Sequence, residues 1–582
     1  MRKTYSILLV LLMAQTYIFG QLPPVFNASD EARASHSKMV KTYLTPQKII
    51  WQSDDTDTHI QNEETLLIKG NGQVAVNDQN QFRLISTKAH KPGIILDYGK
   101  EIHGGVKISM GIRPSKKPLR MRVRFGESVS EAMSDVGGEY NATNEHSLRD
   151  FIIEVPWLGS VEIGETGFRF IRIDLVDANE NAPIKEVAAA FVYRDIPYVG
   201  SFESSDKRLN DIWMTGAYTV HLNMQNYLWD GIKRDRLVWV GDMHPEVMTI
   251  NTVFGKNNIV PKSLDLARDQ HPLPQWMNTI SSYSMWWLLI HKNWFDYHGD
   301  LAYLKEQENY MIALLDQLST FIDKDNKEIL NGGRFLDWPT STDPKAVHAG
   351  LQAMMIMTFE AGSEIMDEFN RPDLKKKYKN ICKKLKKHKP EGNTTKQAAS
   401  LMVLADITNA KEINKDILKK DGVQNMSTFY GYYILEAMAK ADDYQGALNV
   451  YWGGMLDLGA TTFWEDFNIE EGKVSGRIDE VPAENKSDIH KDFGAFCYIG
   501  LRHSLCHGWA SGPTSWLTQY VLGVNVLDGG NTLKIEPHLG DLEFVNGTFP
   551  TKFGAIKISH TKNSKGKITT TIDAPKGLKV IQ

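Results

Sequence analysis

Cysteine is scarce in this chain: Cys382, Cys497 and Cys506 are the only three in 582 residues. So sparse and odd a set does not make a disulfide framework. There is no CxxC pair and no HExxH helix, so no metal is expected. Gly-rich phosphate loops are missing as well; Gly70-Asn-Gly-Gln reads as a turn between strands, and no cofactor is expected. Excess positive charge is lacking too. The net charge is −5, which excludes the dominant basic surface of a nucleic-acid binder. Long apolar runs are absent, so no membrane span is expected.

Residues 1–20 have the pattern of an export signal. Arg2 and Lys3 precede an apolar stretch from Ile7 to Phe19, and Gly20 offers a small residue for cleavage. No cysteine lies near that junction, so no lipid anchor is expected. The reading is an exported protein, periplasmic or secreted. Hydrophobic residues make up 42% and charged residues 24%, the balance of a soluble globular protein. Aromatics make up 10%, enough for both cores and the flat surfaces on which pyranose rings pack.

The hydrophobic period changes twice along the chain. Residues 21–45 are polar and irregular and read as a leader. Over 46–198 the pattern is strand-like: Ile94-Ile-Leu-Asp-Tyr, Gly105-Val-Lys-Ile-Ser-Met and Phe168-Arg-Phe-Ile-Arg-Ile alternate or are β-branched, with turns between. Met121-Arg-Val-Arg-Phe sets Arg122 and Arg124 against Met121, Val123 and Phe125. This predicts an N-terminal β-sandwich. From 199 to 522 the period is helical, with segments near 282–297, 300–323, 346–369, 372–388, 395–407, 428–440 and 509–522. With weaker segments these make about a dozen helices joined by short loops, which pair as hairpins; closed in a ring they form an (α/α)6 barrel. No self-similar period favours a solenoid. Residues 523–582 return to strands and predict a small C-terminal β-domain.

Hydrolysis of a glycosidic bond needs two carboxyl groups, one to protonate the leaving oxygen and one to activate water or attack the sugar. Two stretches place acids among aromatics and glycines without regular period. In Trp229-Asp-Gly-Ile-Lys-Arg-Asp-Arg-Leu-Val-Trp-Val-Gly-Asp, the acids Asp230, Asp235 and Asp242 alternate with Arg234, Arg236 and Trp239. The plain alternatives are that Asp242 caps the next helix and that the Asp–Arg neighbours form a structural ion pair. In Gly459-Ala-Thr-Thr-Phe-Trp-Glu-Asp-Phe, Glu465 sits among rings that would raise its pKa and suit it to proton transfer.

Both stretches resemble signature segments of the bacterial α-L-rhamnosidases, six-hairpin inverting glycosidases. Leu505-Cys-His-Gly-Trp-Ala-Ser-Gly-Pro-Thr resembles a third, Phe202-Glu-Ser-Ser-Asp-Lys-Arg-Leu-Asn the family's approach to the barrel, and Gly167-Phe-Arg-Phe-Ile-Arg its β-sandwich. The resemblance covers roughly residues 80–582. It implies an enzyme that removes terminal α-L-rhamnose from oligo- or polysaccharides. It further implies Asp235 as general acid and Glu465 as general base, with Asp230, Asp242 and His507 around the sugar. The family's general acid is a glutamate; Asp235 is one methylene shorter, and Asp242 and Glu246 stand as alternative acids.

Weaker candidates remain. Leu336-Asp-Trp-Pro places Asp337 and Trp338 at a barrel loop, where they could touch sugar. Arg234 and Trp239 are further substrate contacts. Trp286, Trp287 and Trp294 read chiefly as core. Nine lysines between Lys375 and Lys389 form a solvated face or, in the sharper reading, contact an anionic or sulfated polysaccharide. Two other functions compete. One is a polysaccharide lyase or unsaturated-uronyl hydrolase on the same barrel. The other is a catalytically silent carbohydrate-binding protein.

Overall fold

A computed structural model describes residues 38–53, 58–71, 73, 80–113, 115–391, 395–444 and 447–582. The expected signal at 1–20 lies outside these residues, as does most of the leader. The part of the leader that is described forms a strand. Lys38–Leu44 runs antiparallel to Asn181–Asp195. Its half-buried Met39-Val40 and Leu44 are too few to show a clear alternation, so sequence pattern alone misses it.

Among the described residues, nine antiparallel strands make the N-terminal region, joined in one hydrogen-bonded network. Two long strands change partners along their length. Gly93–Met110 pairs first with Lys48–Gln52 and then with Asn181–Asp195 along one edge. Asn181–Asp195 pairs first with Phe82–Ile85 and then with Lys38–Leu44. Such switches let one ladder supply both layers of a sandwich. Strict alternation fixes the faces: Ile94 and Leu96 enter the main sandwich core, while Ile95 enters a second cluster with Phe170, Val129 and Ala132. Val129 and Ala132 belong to the short helix Val129–Met133, started by Ser128, whose hydroxyl accepts from the Glu131 amide. Met121, Val123 and Phe125 are buried, while Arg122 and Arg124 pair with Asp150, Asp135 and Asp174.

The central region is an (α/α)6 barrel. Six helices follow one another around it: Lys207–Asn223, Met243–Val253, Ser281–His298, Pro344–Glu368, Lys396–Leu404 and Thr428–Ala439. Each packs on the next, and Pro513–Trp516 bridges the last to the first. The outer helices include Pro372–Leu385, which pairs with Pro344–Glu368. Trp286, Trp287 and Trp294 are core residues. The expected single helix over 509–522 is broken into a 3-10 turn (Gly508–Ser511), a short α-helix and a π-turn (Leu517–Val521). Gly512 and Pro513 explain the break, since proline starts helices but cannot continue them.

The C-terminal region holds a four-stranded sheet and a three-stranded sheet. The first strand of the four, Ser201–Ser204, comes from before the barrel and pairs with Val545–Thr548. Neither flank is a loose appendage. Tyr218, Leu222, Ile232 and Cys506 of the barrel belong to the sandwich core, and Ile556 and Ile558 belong to the barrel core.

Candidate active site

Three loops meet at the barrel end beside the sandwich. The first, Trp229–Asp242, joins the helices Lys207–Asn223 and Met243–Val253. Its ends are clasped: the Asp230 amide donates to Leu237 O at 3.0 Å, and the Leu237 amide donates to Asp230 Oδ1 at 2.9 Å. At the tip Asp235 and Arg236 both take left-handed backbone, φ 54° and 57°. That conformation costs of order 1 kcal/mol or more for each non-glycine residue and persists only where surroundings enforce it. The second loop carries Glu465, and the third carries Ser504 to Gly508. They are laced together: Glu465 N donates to Ser504 O, His507 N to Phe463 O, and Gly508 N to Asp230 O.

This lacing gathers the acids around one imidazole. His507 Nε2 lies 3.6 Å from Asp230 Oδ2, 3.7 Å from Glu465 Oε1 and 3.9 Å from Asp242 Oδ2. All four side chains are buried. Burial, then the charge of Asp235, pushes the Asp230 carboxyl well above the usual range. Burial, then Asp230, does the same to Asp242. Burial pulls His507 down to about 4, even against the attraction of Glu465. The imidazole is therefore neutral near pH 7, and the cation facing this group is Arg234. Its guanidinium pairs directly with Glu465. Burial opposes that charge, but Glu465 and Asp235 raise its pKa overall. Glu465 Oε2 also accepts from the Ser504 amide at 3.1 Å, and its main-chain oxygen accepts from Thr428 and Trp509.

Asp242 does not cap its helix. Although it stands at the N-terminus of Met243–Val253, its side chain makes no capping bond and accepts instead from Tyr283 Oη at 2.9 Å. One turn later Glu246 is wholly buried against Gly508, where a β-carbon would overlap its Oε1; burial and the charge of Asp242 raise its pKa. Gly508 is thus a close-approach glycine.

Asp235 stands nearer the surface than the other acids. Trp239 Nε1 donates to its Oδ2 at 3.1 Å, and His146 Nδ1 lies 3.3 Å from its Oδ1. His146 arrives from a sandwich loop, and no feature of the sequence marks it. Tyr283 and Ser504 were equally unmarked; helical spacing makes Tyr283 look like core. Lys233, next to Arg234, is buried and reaches the sandwich. Its ammonium lies 2.8 Å from Glu131 and 3.3 Å from Glu127, and it donates to Leu501 O and His503 O. Glu127, Glu131 and His490 come close enough together to suggest a metal site. Lys233 and Arg149 already supply the positive charge there.

Asp337 and Trp338 divide their tasks. Asp337 is buried and accepts from Ser427 Oγ at 2.6 Å and from the Thr340 amide at 2.9 Å, holding its own loop. Trp338 is open to solvent. Chemically, the site offers several carboxyls of unlike environment, one ion-paired and others driven toward the neutral form, side by side. That is what proton donation and proton acceptance in one reaction require.

Residues 197–391 match a family model described as the bacterial α-L-rhamnosidase six-hairpin glycosidase domain. The match covers the first part of the helical region. A curated relative, an α-L-rhamnosidase of Alteromonas sp. (strain LOR), is 24% identical over 567 residues, covering 86% of this chain and 57% of its own length. Among solved structures, a GH78 rhamnosidase of Bacillus sp. GL1 superposes with a TM-score of 0.70 at 20% identity, over 87% of this chain and 54% of that one. A rhamnosidase from Klebsiella oxytoca with rhamnose bound gives 0.65 at 18% identity, over 84% and 97%. The fold is that of the rhamnosidases, and the resemblance read from the signature segments is shown. The chain spans little more than half the length of the Alteromonas and Bacillus proteins.

Proposed function

We propose that the protein is an exported glycoside hydrolase that removes terminal α-L-rhamnose from oligo- or polysaccharides with inversion at the anomeric carbon. The observation that carries this reading is the convergence of Asp230, Asp242 and Glu465 on His507, with Asp235 on the same loop as Arg234. Glu465 takes a proton from water, and that water attacks C1 from the face opposite the departing oxygen. Asp235 gives its proton to that oxygen as the C1–O bond breaks. Arg234 holds Glu465. Asp230, Asp242 and His507 bind the sugar hydroxyls, and Trp239 and Trp338 provide apolar walls. Asp337 keeps Trp338 in place.

Export rests on Arg2, Lys3 and the apolar run to Phe19. Among the described residues no helix is long and apolar enough to cross a membrane. An anionic or sulfated polymer on the lysine-rich helix is the less favoured part of the substrate reading. Lys375, Lys377 and Lys386 are already paired with Asp367, Asp316 and Glu360.

The test is to follow hydrolysis of an α-L-rhamnoside by proton NMR. β-L-Rhamnose should appear first and then mutarotate. The α-anomer appearing first would refute inversion. No release of rhamnose from any rhamnoside, with saccharide binding retained, would favour the silent binding protein.

A further inference from the structure

Two aromatic side chains stand open at the mouth of the site. Trp338 is 36% exposed and Phe496 41% exposed. Their rings stack, with centroids 6.0 Å apart and planes 28° from parallel. They come from loops far apart in the chain, so the pairing is a product of the fold. Phe496 reaches its place with a left-handed backbone, φ 56°, which is costly for an aromatic residue. Its neighbour Cys497 lies against Arg234, the partner of Glu465. Inward from Trp338 the aromatic surface continues: Phe335 packs edge-on at 5.2 Å, then Tyr283 at 6.3 Å, and Tyr283 bonds to Asp242. A wall of rings therefore leads from a buried acid to solvent.

A cavity of about 720 Å³ lies beside the loop that follows Trp338. Pro339, next to Trp338, and Asp466, next to Glu465, form its near side. Four acids line it, Asp416, Asp421, Asp466 and Glu470, against two lysines, Lys396 and Lys420. Lys396 donates to the Gly422 carbonyl. Glu470 is paired with Lys473 and burial drives Asp466 toward its neutral form, so the wall offers no excess of positive charge to hold a carboxylate or sulfate, whereas its carboxylates and amides suit neutral hydroxyls.

We propose that Trp338, Phe496 and this cavity form a leaving-group subsite for a neutral oligosaccharide. One pyranose ring packs by its C–H face on the aromatic pair, and the following sugars run along the polar wall. This inference rests on the rhamnosidase reading for its orientation.

The test compares two donors with the full chain: α-L-rhamnosyl fluoride, whose leaving group has no ring, and a neutral tetrasaccharide ending in rhamnose. Asparagine tolerates left-handed backbone, so Phe496→Asn removes the ring without adding strain. Its kcat/KM on the tetrasaccharide should fall about 3- to 10-fold further than on the fluoride, the worth of one aromatic contact. A tetrasaccharide with uronic acid as its second sugar should be the poorer wild-type substrate, and Asp416→Lys should narrow that gap. Equal losses on both donors, or a wild-type preference for the uronate, would overturn the subsite. If the wild type cleaves neither donor, the rhamnosidase reading falls separately. Calorimetric binding of the tetrasaccharide, weakened by Phe496→Asn or not, then decides the subsite.

Discussion

Glu465 is held by Arg234, by the Ser504 amide and through its own carbonyl by Thr428 and Trp509. Glu465→Gln should lower kcat by at least 10²- to 10⁴-fold, because an amide cannot accept a proton from water. The change also leaves a buried guanidinium without its counter-charge. A stability loss of about 3 kcal/mol is expected, read as a shift of the urea midpoint, with the protein still folded at room temperature. Unchanged turnover would remove Glu465 from the mechanism. Asp235→Asn probes the other proton. Hydrolysis of a natural oligosaccharide should slow by about 10²- to 10⁴-fold, and an activated aryl rhamnoside should lose much less, since its leaving group needs no proton. The basic limb of the pH profile for the natural substrate should vanish with it. Equal losses on the two substrates would transfer the acid role to Asp242, whose buried carboxyl burial already drives toward the protonated form.

At the scale of elements, Lys233 shows what the sandwich does for the barrel. Its ammonium lies between Glu127 and Glu131 of the sandwich and the carbonyls of Leu501 and His503. Leu505 in turn donates to Glu127. One cation thus ties the loop of Asp230 to the loop of His507. Lys233→Met should cost about 3–5 kcal/mol by stranding buried carboxylates, and kcat should fall with it. Retained stability and full activity would show that the sandwich merely touches the barrel. The sequence reveals such couplings poorly. The acids of Trp229–Asp242 and Glu465 are visible because they interrupt every regular period among rings and glycines. His146 is invisible, because it lies in a sandwich segment whose pattern is ordinary and acts only across an interface. Helices are legible where the apolar period is long, as in Ser281–His298, read from sequence as 282–297. They are misjudged where a local breaker overrides it, as Gly512-Pro513 does within 509–522. Lys38–Leu44 is missed for the opposite reason: its strand state depends on Asn181–Asp195, more than a hundred residues away. Asp242 looks like a helix cap by position alone, and only the approach of Tyr283 shows otherwise.

For the whole molecule, buried histidines set the response to acid. Burial lowers His103 and His291 to about 3, and His221 and His507 to about 4. Each is neutral in the folded state, while the unfolded chain protonates it below about 6.5. The unfolded state therefore binds more protons, and stability falls with pH from about 6.5 down to the folded values. Each group contributes at most about 1.4 kcal/mol per pH unit. Glu127 works the other way. Burial raises it to about 7, so its neutral form favours the fold below about 4.5 and that benefit is lost as pH rises through 7. The two effects oppose each other between about 4.5 and 6.5, and the histidines act alone below. Four imidazoles outweigh one carboxyl, so denaturant midpoints should already fall as pH drops from about 6.5, and the fall should ease below about pH 4, where of these groups His103 and His291 alone still titrate. A flat profile down to pH 3 would show that these imidazoles are not neutral in the fold.

Ser201–Ser204 pairs with Val545–Thr548, across the entire span of the helical ring. A ribosome releases the first of these strands long before the second exists. Throughout that interval the segment is an unsatisfied edge, able to join any passing extended chain. At about 5–20 residues per second, the wait lasts some tens of seconds. The ring of helices can assemble during it, joined through Pro513–Trp516, but Ser201–Ser204 gains its partner only when the later strand is made. The last sheet of this protein thus waits for residues 545–548, and a nascent chain halted before residue 545 should be more prone to aggregate than one carried past it.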